Sequence, residues 1–184
     1  MLVNLVNINK TTMKKLTFIL LTLLLTVTLV KAQSRAEDEA AIQKTWARFG
    51  NSWKNSNFSD MKDYMTPDCH WINVVGMHWH NLKEVQFAHQ AFITAFLKNA
   101  KSEDKSSDLR FITHDVAIMY RVTHIGAFYP PDGVDRGFNK QGDKDNIATI
   151  VFVKQKGKWF ITSGQNSDVI AQAAASDPVL HMPK

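Results

Sequence analysis

Cysteine is nearly absent: Cys69 is the only one in 184 residues. No intrachain disulfide is possible, so stability must come from packing, and eleven Phe and five Trp suit that. A lone thiol is either reactive or buried, and the neighbours Trp71 and Ile72 favour a buried strand position. The chain has no Gly-rich dinucleotide fingerprint. It has no basic helix and no Lys/Arg cluster interleaved with aromatics, which argues against a nucleic-acid partner. Asp132, Asp135, Asp143 and Asp145 share a loop without the spacing of a calcium loop, so a solvated loop or mobile lid is expected there.

Only one long uncharged run exists, Leu16 to Val30, and its 15 residues fall short of the roughly 20 that span a bilayer. Lys14 and Lys15 precede it, and the small residues around Val30-Lys31-Ala32 follow. This is the three-part pattern of a secretory signal peptide, with Gln33 as the expected mature N-terminus. Met13 stands directly before the lysines and is a second candidate start. Export to a periplasm or the extracellular space is expected, with no stable membrane span after cleavage. The expected domain covers residues 33–170, followed by a tail over 171–184.

The leader also carries the charge imbalance. The net charge of +5 includes Lys10, Lys14, Lys15 and Lys31, and no acid precedes Gln33, so the remaining 152 residues carry +1. The Cys69 position, far from Gln33, excludes lipoprotein processing.

Ser34 and Glu37 have capping-box spacing, and Ile42, Trp46, Phe49 and Trp53 then recur along one helical face to about Lys54. Asn55 to Asn57 breaks the helix. A short helix burying Met61 and Tyr64 or Met65 follows, then a turn at Thr66-Pro67-Asp68. Cys69 to Val75 reads as a strand ended by Gly76. Asn81 and Glu84 cap a second long helix whose inner face is Val85, Ala88, His89, Phe92 and Phe96. Lys101 to Ser107 reads as a polar loop. Strands are expected at Leu109 to Thr113, Val116 to Phe128, Ile147 to Gln155 and Lys158 to Gly164, the last two joined by a tight hairpin at Lys156-Gly157. Helices first and strands last give an α+β fold with an antiparallel sheet.

At the level of motifs, Asn73-Val74-Val75-Gly76, then Trp79, then a helix bearing His89 resembles the SgcJ/EcaC group of SnoaL-like proteins in the NTF2-like superfamily. Asp115-Val116-Ala117 fits the same group, as does Lys158-Trp159-Phe160-Ile161 running into Gln165-Asn166. The resemblance covers about Ala36 to Asp168. It implies a cone in which N-terminal helices pack inside a curved, mainly antiparallel sheet. The superfamily hosts isomerases, dehydratases, cyclases and plain binding or dimerisation modules, so fold alone does not select an activity. His80-Asn81 departs from the basic residue and Gly that usually follow Trp79 in the group, and the Pro130 to Asp145 loop is this chain's own.

Candidate chemistry centres on His89, on the apolar face of the second helix. It is either a core histidine bonded to a carbonyl or a polar side chain such as Asn73, or a pocket histidine tuned near neutral pH to polarise a ligand or move a proton. Asp68 is a turn former or, desolvated, a second catalytic group. Asn73, Trp71, Trp79, Tyr120, Gln165 and Asn166 are the candidate ligand contacts; Gln165 and Asn166 are adjacent in a strand, so at most one faces a given cavity. Trp71, Tyr120 and Trp159 are either cavity lining or core. His70, His78, His80 and His89 lie close in sequence, but their spacing matches no dedicated metal motif, so neither a metal nor a cofactor is expected. Two functions follow. One is a small-molecule binder, or a cofactor-free acid/base enzyme, acting on a small hydrophobic or carbonyl-bearing molecule. The other is a non-catalytic homodimer whose cavity is filled by its own side chains.

Overall fold

The computed structural model describes Phe18 and residues 35–183. The leader expected at 1–32 lies outside the described residues, Phe18 excepted, as does the Ser34 cap. Two compact units divide the chain, Met1–Ala40 and Ala41–Lys184, and the second holds every described strand.

Helix α1 is described over residues 35–54. From Ala41 onward its buried side is Ile42, Thr45, Phe49 and Ser52, the spacing of one helical face. Asn57 ends the helix by turning back, its N–H donating to the Ser52 carbonyl. A 3-10 turn at Met61–Asp63 buries Met61. Strand β1 (Met65–Ile72) and the two-residue β2 (His78–Trp79) form a hairpin. Helix α2 (Leu82–Phe92) continues as a π turn over Ile93–Leu97. Strands β3 (Ser102–Phe111), β4 (Val116–Ile125), β5 (Lys144–Gln155) and β6 (Lys158–Asp168) follow, then the short helix α3 (Ala171–Ala174) in the tail.

The strands form one six-stranded sheet in the order β2-β1-β6-β5-β4-β3. Only the β1–β6 pair is parallel. The expected α+β class with a mainly antiparallel sheet is borne out. The β5–β6 hairpin turns at Lys156 and Gly157, both at positive φ (50° and 77°), the geometry that matches strand twist in a two-residue turn.

Several strand bounds differ from expectation: β4 stops at Ile125 rather than Phe128, β5 begins at Lys144 and β6 runs to Asp168, and the larger changes are in β1 and β3. Strand β1 starts at Met65, so Thr66-Pro67-Asp68 is strand and not turn; the register shifts between Met65 and His70, which is where a Pro is tolerated. It stops at Ile72, so Asn73 lies outside it. The segment 102–107 is also strand and not loop. It is the sheet edge, paired only to β4, and its side chains are exposed on both faces, so it carries no apolar alternation.

Facing residues on paired strands share a side of the sheet, so the register lists what the helices meet. One transverse row is Phe111, Ala117, Phe152, Ile161 and Met65. The next is Leu109, Met119, Ile150, Gly164, Trp71 and Trp79. The third is Ser107, Arg121, Ala148 and Asn166. The first two rows hold the core, with Ala117, Met119, Ile150, Phe152 and Ile161 fully buried. The third is where this face turns polar.

Candidate functional site

The cap of α2 sets the site. Asn81 Oδ1 accepts from the Glu84 N–H at 3.0 Å, and the Glu84 carboxylate accepts from the His80 N–H at 2.8 Å. With its first turn fixed, α2 points Val85, His89 and Ile93 inward at helical spacing. Gln86 Nε2 donates to the Phe58 carbonyl at 2.7 Å, and Gln90 Oε1 accepts from the Phe58 N–H at 3.1 Å, so the chain after α1 is tied to the same helix.

Five aromatic rings from four parts of the chain surround His89. Their centroids lie 5.6 Å (Phe49), 5.5 Å (Trp53), 5.4 Å (Phe58), 5.2 Å (Trp71) and 5.4 Å (Trp79) from the imidazole. The ring is 4% exposed. Nδ1 lies 2.8 Å from the Val85 carbonyl. A carbonyl only accepts, so Nδ1 carries the proton, and in the neutral ring Nε2 is left as a bare acceptor. Burial pushes the pKa down to about 4, with the Val85 bond opposing weakly. The imidazole is therefore neutral at pH 7. This corrects the expectation of a histidine tuned near neutrality: apolar rings supply no anion to hold the imidazolium.

Trp71 links this histidine to the polar row. Its ring stands edge-on to His89, at 86°. Its indole N–H donates to Asn166 Oδ1 at 3.2 Å. Two strands further along the same row, Arg121 sits with its guanidinium 5.3 Å from the Trp46 ring centroid, and Asp104 pairs with it. Trp46 in turn lies 5.1 Å from Phe49. The site thus runs from an apolar cage to a row of amide and paired charge.

Of the candidate contacts, Trp71, Trp79 and Asn166 lie on this face. Four expected residues do not. Asp68 is exposed on β1, while its neighbour Cys69 and then Trp71 face inward, so no carboxylate joins His89 from there. Asn73 sits in the turn after β1, where Oδ1 accepts from the Val75 and Met77 N–H groups at 3.1 and 2.8 Å; it is a turn former, not a partner for His89. Tyr120 is exposed beside buried Met119, and Gln165 is exposed beside Asn166; each points to the opposite side of the sheet by strand alternation. Trp159 is 4% exposed and belongs to the core, its carbonyl accepting from Thr45 Oγ1 at 3.0 Å. Burial pushes the Cys69 thiol up to about 11, so it is unreactive at neutral pH. The contribution of Phe49, Trp53 and Phe58 went unrecognised as a site, although Phe49 and Trp53 already stood on one helical face.

The opposite side of the β1–β2 hairpin collects His70, His78 and His80. His70 Nδ1 and His78 Nε2 are 2.9 Å apart, and the His78 and His80 ring centroids are 4.1 Å apart. Local desolvation and the two neighbouring imidazoles lower the pKa of His78. Among the described residues, no three donors converge in a metal-holding arrangement.

No family model and no curated protein matches this sequence. Solved structures do. An uncharacterised protein with a cystatin-like fold from Caulobacter vibrioides is 30% identical, with a TM-score of 0.73 over 79% of this chain and 99% of that one. The chain belongs to this cystatin-like, or NTF2-like, fold family. An NTF2-like protein from Cytophaga hutchinsonii matches at 14% identity and TM-score 0.56, over 71% of this chain and 98% of that one. A hexachlorocyclohexane dehydrochlorinase matches at 10% identity and TM-score 0.59, over 74% and 88%. The last two share the fold alone.

Proposed function

We propose that this is an exported ligand-binding protein of the SnoaL-like, SgcJ/EcaC type that takes a small, largely apolar molecule beside His89. The observation that carries this is the neutral imidazole ringed by five aromatic side chains, with Nε2 left as an acceptor. Flat aromatic walls with one or two fixed polar atoms are the usual make-up of a small-molecule site.

Binding fits better than acid/base catalysis. A histidine with a pKa of about 4 is a weak base at neutral pH. The carboxylate expected to assist it, Asp68, is exposed on the far side of β1. Homodimerisation accompanies binding in this proposal: the outer face of the sheet exposes Tyr120 and Ile147, apolar side chains suited to a second copy.

Tryptophan fluorescence tests the binding reading, because Trp53, Trp71 and Trp79 all touch His89. Saturable quenching or enhancement by small neutral aromatic ketones is expected. A flat response across such compounds would count against it. N-terminal sequencing of protein from an exporting host tests the leader, with Gln33 expected first.

A further inference from the structure

Three imidazoles share the face of the β1–β2 hairpin that is turned away from the His89 cage. We infer that His70, His78 and His80 form a binding site for a divalent cation of the zinc class, with Glu84 orienting His80. The site stands apart from the ligand-binding reading, because Trp71 and Trp79 belong to the opposite face.

Strand register brings the three together. Trp71 pairs with Trp79 and Ile72 with His78. Continued by one place, the same register sets His70 across from His80. Residues two apart along a strand share a face, so His78 and His80 stand on the same side of the hairpin as His70. The ring centroids are 5.1 Å (His70 and His78), 5.6 Å (His70 and His80) and 4.1 Å (His78 and His80) apart. Imidazoles that share one zinc at the usual Zn–N length place their centroids about 4.5–5.2 Å apart. The three observed spacings bracket that range.

Two of the nitrogens already stand at ligand spacing. His70 Nδ1 and His78 Nε2 lie 2.9 Å apart. Two nitrogens at a right angle on one zinc are separated by about 2.9 Å. In the neutral pair one of these nitrogens carries a proton, and moving it to the far nitrogen of the same ring frees both lone pairs. Local desolvation and the neighbouring imidazoles hold His78 below the ordinary histidine range, which keeps the cation from competing with a proton there at neutral pH.

The third ligand is His80. Its Nδ1 lies 3.4 Å from Glu84 Oε2; a carboxylate only accepts, so Nδ1 carries the proton and Nε2 keeps its lone pair. A carboxylate on the far nitrogen is the usual support of a metal-binding histidine. Glu84 is itself held, by the His80 N–H and by Asn81 Nδ2. As the rings stand, no three donors converge among the described residues. The His80 side chain is 59% exposed, so turning its ring brings the third nitrogen in. Three neutral imidazole nitrogens suit Zn2+, Cu2+ or Ni2+; Mg2+ and Ca2+ take oxygen ligands.

The test is calorimetric titration of ZnCl2 at neutral pH into the full chain purified from an exporting host, made without a histidine tag and stripped with chelator. Imidazole 1H–15N spectra are followed in parallel. One zinc per chain is expected, with the ring signals of His70, His78 and His80 shifting together and those of His89, His114 and His124 unmoved. MgCl2 and CaCl2 should give no binding heat. His78→Ala should weaken zinc binding at least about 10-fold, since even the partner of a ligand is worth that much. His78 is exposed, so the metal-free denaturation midpoint should not move. No zinc binding overturns the inference. So does zinc that shifts His114, His124 or His181 in place of the hairpin rings, or that binds His78→Ala as tightly as the wild type. The spectra need no variant, so they decide even where the substitution disturbs the hairpin.

Discussion

The indole N–H of Trp71 donates to Asn166 Oδ1 at 3.2 Å, a bond that spans the single parallel strand pair of the sheet. Trp71 is 5% exposed, and its ring also packs on those of Phe49 and His89. Asn166→Ala should leave the indole N–H unpaired and destabilise the protein by about 1–3 kcal/mol. Asn166→Asp should cost less, because an acceptor remains. Urea denaturation of the two variants checks the order; equal losses would mean the bond contributes little.

Gly164 lies under the same ring. A Cβ there would overlap the six-membered ring of Trp71. Gly164→Ala must push the indole away from His89 or move the strand, and a loss of about 1–3 kcal/mol or more is expected. Tryptophan emission should shift with it. A variant with unchanged stability and emission would show that the ring has room the packing denies.

Acid should destabilise the fold through His89. Its pKa is about 4 in the folded chain against 6.5 for a free histidine. Between these values the unfolded chain binds a proton that the folded chain does not, so stability falls as pH drops through that window. The contribution is complete above about pH 6.5, and up to about 3 kcal/mol is lost by pH 4. Denaturation midpoints at several pH values from 7.5 to 4 should show this slope in the wild type and a shallower one in His89→Phe.

The cap of α2 should matter out of proportion to its exposure, because it aims the helix that carries His89. Asn81→Ala removes the acceptor for the Glu84 N–H and should cost about 0.5–2 kcal/mol. Thermal denaturation reads it; a change below a few tenths of a kcal/mol would mean that Glu84 and packing fix the first turn without Asn81.

Local signals carried most of the fold. The Asn81/Glu84 cap and the Lys156-Gly157 turn depend on neighbours in sequence, and both stand where the residues put them. The first half of β3, residues 102–107, was hidden because an edge segment facing solvent on both sides has no alternation to detect; its second half was expected as a strand from Leu109 onward. The start of β1 was hidden by Pro67, which reads as a turn but sits at a register irregularity. The site was only half legible. The apolar face of α2 marks His89, but the five rings around it come from distant segments, and no spacing joins Phe49 to Trp79. Gln165 and Asn166 looked equivalent, and Tyr120 was named where its neighbour Arg121 was not, until the register fixed which parity faces the helices.

The central claim is that the aromatic cage around His89 holds a small neutral molecule. Native mass spectrometry of protein purified from an exporting host without harsh washing tests it most directly. A dimer mass with a discrete small-molecule adduct, lost in His89→Phe, is the predicted result. A clean protein mass that stays unchanged after incubation with cell extract would contradict it and leave the cage as core packing alone.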